Sequence, residues 1–128
     1  MILQIDTSTP TCFVWLDGDG GEFEYSWEAG RELSKGIFTF LEDCLKSSGA
    51  DWSGVSGVVV YRGPGSFTGL RIGATVMNTI ASARNLPIVG ETGDYWRKSG
   101  LARIKAGESD QIVLPEYGSD ANITTPRK

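Results

Sequence analysis

Any chemistry in this chain runs without histidine, because none of its 128 residues is one. That removes the commonest general base near neutral pH and the commonest zinc ligand. Ser-His-Asp, Cys-His and His-Glu-x-x-His arrangements are excluded together. Cys12 and Cys44 are the only cysteines, so a four-ligand zinc site would need two carboxylates in an unusual mixture, and no metal is expected. What remains is a glycine-rich stretch, RGPGSFTGLRIG, from Arg62 to Gly73. A strand that leads through glycines into a helix N-terminus can hold an anion on its outward-facing amides. It is not a P-loop, since neither glycine register reaches the required lysine. Nor is it a nucleophile elbow, because Pro64 and Thr68 stand around Ser66 where glycine is required. Gly63, Pro64, Gly65 and Ser66 are therefore read as a tight structural turn rather than a phosphate site.

The bulk of the sequence fits one core. At 128 residues and 40% hydrophobic composition a single domain is expected. Sixteen acidic against twelve basic residues give a net charge of -4, which disfavours direct attraction to nucleic acid. The opening MILQIDTST has neither a basic region nor a long apolar run, and no stretch is apolar enough to span a membrane. With two unpaired-looking thiols, this leads to the expectation of a reduced, cytoplasmic protein.

The elements that must position the glycine-rich turn follow from the pattern of apolar residues. ILQID, TCFVWLDG and GEFEYSWE read as three consecutive strands, with DGDGG from Asp17 to Gly21 supplying a hairpin turn. Leu33, Ile37, Leu41, Cys44 and Leu45 recur at a helical period between Arg31 and Ser48, with Gly49 placed to end that helix. Phe38 and Phe40 broaden its apolar stripe on opposite sides. VSGVVVY, from Val55 to Tyr61, suits a strand covered on both faces, as in a parallel sheet. A second helix is predicted over Phe67–Arg84, capped by Ser66 or Thr68 and stopped before Pro87. PIVG is a short fifth strand. A short helix is expected around Asp94–Ala102, then an extended segment at QIVLPEYG, then a polar tail.

The second helix carries two apolar faces. Phe67, Leu70, Ala74, Met77 and Ala81 form one; Ile72, Val76, Ile80 and Ala83 form the other, beside Gly69 and Gly73. Each glycine inside a helix costs about 0.8 to 1 kcal/mol relative to alanine, so a close neighbouring backbone is expected there. A helix apolar around most of its circumference must be covered twice. Ile37, Phe38, Phe40 and Leu41 on the first helix, with Gly69, Ile72, Gly73, Val76 and Ile80 on the second, are the candidate partner interface.

At GPGSFTGLRIG the sequence resembles the TsaB family, the dimerisation subunit of bacterial tRNA threonylcarbamoyladenosine synthesis. ILQIDTST at the N-terminus, DG after the second strand, Arg31 and Ser34 opening the first helix, and LPIVG after the second match in register, and the tail ITTPRK resembles the family's basic C-terminal ending. The resemblance implies an α/β fold, a ribonuclease-H-like, actin-like ATPase half-domain with a mixed five-stranded sheet (βββαβαβ) and two long helices. It implies a core over residues 1–90, a reduced extension over 91–117 packing on it, and a polar tail over 118–128. It further implies a non-catalytic scaffold without cofactor, paired through its two N-terminal helices with a TsaD-like transferase subunit and meeting tRNA only through that complex. A homodimer through the same helices is a variant. The superfamily's ATPases favour a glycine after the first-strand aspartate, but Thr7 follows Asp6 here, which makes Asp6 a turn residue rather than a magnesium ligand. Two alternatives stay open: a ribonuclease-H-like metal-dependent nuclease built on Asp6, and a small actin-like nucleotide-binding protein. The nuclease needs several converging carboxylates, and the fourth strand offers none.

Overall fold

The computed structural model describes residues 1–117, so the tail expected over 118–128 lies outside the described residues. Strands β1 (Ile2–Asp6), β2 (Thr11–Gly18) and β3 (Gly21–Glu28) form an antiparallel meander. Helix α1 (Leu33–Ser47) leads to β4 (Gly57–Tyr61), which pairs parallel to β1. Helix α2 (Phe67–Arg84) leads to β5 (Ile88–Glu91), parallel to β4. The sheet order is β3-β2-β1-β4-β5, the ribonuclease-H-like arrangement expected from βββαβαβ. A last helix, α3 (Trp96–Lys105), starts two residues later than expected and runs three further. Of the expected extended segment QIVLPEYG, the described residues 111–117 contain no strand and are held by individual hydrogen bonds described below.

Alternation in β2 places the layers. Cys12, Val14 and Leu16 point into the main core with α1 and α2, while Phe13 and Trp15 face the side on which α3 lies. β4 is buried on both faces, as its unbroken valines require: Val58 and Val60 belong to the main core, and Val59 packs with Trp96 beneath α3. Gly100 makes that docking possible, since a side chain there would collide with Val59. The periodic stripe of α1 (Leu33, Ile37, Leu41, Cys44, Leu45) is buried throughout. The helix ends where Gly49 takes a φ of 80°, and α2 ends at Asn85, whose φ of 59° reverses the chain before Pro87.

Both cysteines are free and buried in the core. Burial pushes each thiol up to about 12, with the neighbouring Cys44 adding to the shift of Cys12 and Asp43 to that of Cys44.

Candidate protein-docking face

The glycine-rich turn is shaped by what presses on it from both sides. The Ser66 hydroxyl caps α2 by accepting from the Gly69 amide at 3.3 Å, and the Ser66 amide donates to the Ser8 carbonyl at 2.8 Å. Asp6 holds the Ser8 loop in shape, its carboxylate accepting the Ser8 amide at 2.8 Å. Among the described residues no group of three or more Cys, Asp or Glu side chains converges to hold a metal ion. Gly65 lies against Ser8, and a side chain at Gly63 would strike the Glu116 carbonyl. Gly63 also has a φ of 120°, which L side chains rarely adopt. The segment after α3 closes the other side: the Glu116 amide donates to the Arg62 carbonyl at 2.6 Å, and Arg62 Nε donates to the Leu114 carbonyl at 2.8 Å. The turn is thus clamped between two loops of its own chain.

The same loop explains the helix glycines, and corrects one expectation. Thr7 is 2% exposed and its hydroxyl donates to the Gly69 carbonyl at 2.7 Å. A Cβ at Gly69 would collide with the Thr7 carbonyl oxygen, and one at Gly73 with the Thr7 side chain. The close neighbour of Gly69 and Gly73 is therefore the β1–β2 loop, not a partner's backbone. Ile37, Leu41 and Ile80 also lie inside, at 1%, 0% and 8% exposure. Five of the nine candidate interface residues are thus buried, Gly69 and Gly73 against the Thr7 loop and Ile37, Leu41 and Ile80 in the core. Phe67 departs in the opposite direction. Expected on the inner face, it is 54% exposed and stacks on Tyr117 with centroids 4.3 Å apart.

What stays accessible forms a seam. Ile72 and Val76 on α2 are half-buried. With Ser34, Arg71 and Thr75 they line a groove of about 280 Å³ between the helices. Ile72 also closes a cavity of about 390 Å³ that runs on past Arg31 and Leu33 to Thr9, Pro10 and the start of α2. Phe38, one turn beyond Ser34 on the same side of α1, is 49% exposed and stacks on Trp52 at 6.3 Å, and the Arg84 guanidinium lies 5.5 Å from the ring centroid of that tryptophan. Phe40 does not join this seam; it tilts onto Trp27 of β3, 5.4 Å between centroids, on the opposite flank of α1. Arg31, Trp52 and Arg84 were missed as contributors, since nothing in their spacing links three separate segments.

The family model described as TsaD, tRNA N6-adenosine threonylcarbamoyltransferase, matches residues 27–92. A threonylcarbamoyltransferase of Geobacter metallireducens is 36% identical, but over only 48% of this chain and 18% of that protein. The tRNA threonylcarbamoyladenosine biosynthesis protein TsaB of Escherichia coli is 33% identical over 94% of this chain and 56% of its own length. The chain belongs to the TsaB family. The solved structure of YeaZ from Pseudomonas aeruginosa superposes with a TM-score of 0.68 at 29% identity, covering 83% of this chain and 49% of that one. The fold is accordingly the ribonuclease-H-like, actin-like ATPase type. The chain spans about half the length of the Escherichia coli protein and of the Pseudomonas aeruginosa structure. Among the described residues no helix is long and apolar enough to cross a membrane.

Proposed function

We propose that the chain serves tRNA threonylcarbamoyladenosine biosynthesis as a non-catalytic scaffold whose α1–α2 seam docks a TsaD-like threonylcarbamoyltransferase subunit. The observation that carries this is the seam itself. Ile72 and Val76 keep large apolar side chains half-buried along one groove, and Phe38, one turn beyond Ser34 on α1, is 49% exposed; a partly exposed apolar patch of this kind is the anatomy of an interface core. The family resemblance supplies the partner's class. Nothing in this role asks the chain for a cofactor or a metal, and tRNA is met through the transferase. The work is done in the cytoplasm, where tRNA is modified.

Coexpression with a tagged transferase subunit tests it. The chain is expected to copurify at unit stoichiometry, and Ile72→Glu with Val76→Glu to abolish copurification while a cooperative melting curve is kept. Ile80 is unsuitable for this purpose, because a charge at a position 8% exposed breaks the core first. Copurification of the folded double variant at the wild-type level would overturn the proposal. So would a stable homodimer through the seam that the transferase cannot displace.

A further inference from the structure

The two edges of the sheet are finished differently. At β5 the chain that follows α3 covers the edge. The Asp110 amide donates to the Ile88 carbonyl at 2.7 Å and the Gly90 amide to Asp110 Oδ2 at 2.9 Å. Arg103 fixes that cover by engaging Glu91, Glu108 and Asp110 at once. At β3 no strand or loop plays this part among the described residues. The strand is eight residues long, pairs with β2 at every position without a bulge, and contains no proline. It lacks two of the usual devices that blunt an edge, and its outer row of amides and carbonyls is a template for another strand.

Its two faces specify what kind of strand fits. Pairing places Glu22, Glu24, Ser26 and Glu28 opposite Asp17, Trp15, Phe13 and Thr11, on the α3 side of the sheet. Phe23, Tyr25 and Trp27 lie on the core side, and at the edge they are only partly covered, Phe23 being 36% exposed. A second copy of the chain suits this edge badly. Antiparallel self-pairing with like faces matched sets Glu24 against Glu24, Glu22 against Glu28, or Glu24 against Glu28, and directly opposed like charges destabilise a sheet. A strand with lysine or arginine at alternate positions meets the carboxylates on one face and Phe23 and Tyr25 on the other. Arg97 shows the same chemistry within the chain: its guanidinium engages Glu22 and lies 4.4 Å over the Trp15 ring. Glu24, next along that row, has no ion-pair partner among the described residues.

We propose that β3 accepts, by strand addition, an extended segment of a partner protein in which basic and apolar residues alternate. None of the residues of the α1–α2 seam belongs to this edge, so the two surfaces can be filled at once.

The probe is a blocked synthetic peptide of about eight residues alternating lysine and valine, titrated into the whole chain with two-dimensional amide NMR. Shift changes concentrated in Gly21–Glu28 are expected, with affinity that falls as salt rises. Methylating every second peptide amide is expected to abolish binding in one register and spare it in the other, since an added strand uses alternate amides. Glu24→Lys is expected to weaken the lysine peptide about fivefold and to favour a glutamate-valine peptide instead. Equal binding in both methylated registers, equal binding of the glutamate-valine peptide to the unmodified chain, or shifts elsewhere than β3 would overturn the proposal. So would a β3-mediated dimer that excludes the peptide.

Discussion

The inner and outer sides of α2 handle residue size in opposite ways. On the inner side the helix gives up side chains at Gly69 and Gly73 so that Thr7 can lie against its backbone and hydrogen-bond to it. On the outer side Ile72 and Val76 stay large although the fold leaves them half-buried over a groove. Their neighbours Thr75 and Thr79 are exposed and polar, as a solvent-facing position ordinarily is. Close approach within a chain is obtained by removing atoms, whereas Ile72 and Val76 pack part of their side chains against the core and leave the rest over the groove.

The core that the inner side of α2 helps to cover also carries a chemical signature. Cys12 and Cys44 lie beneath the inner layer with thiols pushed from 9.0 to about 12. Their folded values are raised, so the stability they contribute is full below pH 9 and is lost as pH rises towards 12. Denaturant melts across pH 8 to about 12 should fall more steeply for the native chain than for one with Cys12→Val and Cys44→Ala. Next, Leu41→Ala, at a fully buried position, should cost about 2 to 5 kcal/mol in a urea melt. Gly69→Ala should cost about 1 to 3 kcal/mol, because the Thr7 carbonyl it strikes belongs to the backbone. Gly73→Ala should cost a similar amount, since it meets the buried, β-branched Thr7 side chain that hydrogen-bonds to the Gly69 carbonyl, and Thr7→Ala should restore part of that loss. Ile72→Glu, at a half-buried position packed against the edge of the core, should cost about 1 kcal/mol while, on the proposed function, removing partner binding. A large loss of stability there would erase the distinction between the sides.

Much of the fold was legible because its signals are local and redundant. The α1 period, the Ser66 cap, the glycine hairpin and the unbroken valines of β4 each point to one element, and the elements have one familiar order. The candidate site was less legible. Helical projection sorts residues by angle but does not say which angle the sheet occupies, so Ile37, Leu41 and Ile80 were grouped with residues that end up outside. Gly69 and Gly73 announced a close approach without naming the neighbour, because the Thr7 contact spans more than sixty residues of sequence. Phe67 followed the inner face by angle, but the first turn of α2 projects past the sheet and Tyr117 meets it there. The acidic row on β3 was readable from alternation alone; that the strand lies at the sheet's edge was not.

The most direct test of the central claim is a calorimetric titration of a TsaD-like transferase subunit into four folded forms of the chain: wild type, Ile72→Glu, Val76→Glu and Gly73→Ala. The account predicts binding by wild type and by Gly73→Ala, and loss of at least about 2 kcal/mol of binding energy in each glutamate variant. Equal heats and affinities for all four would contradict it.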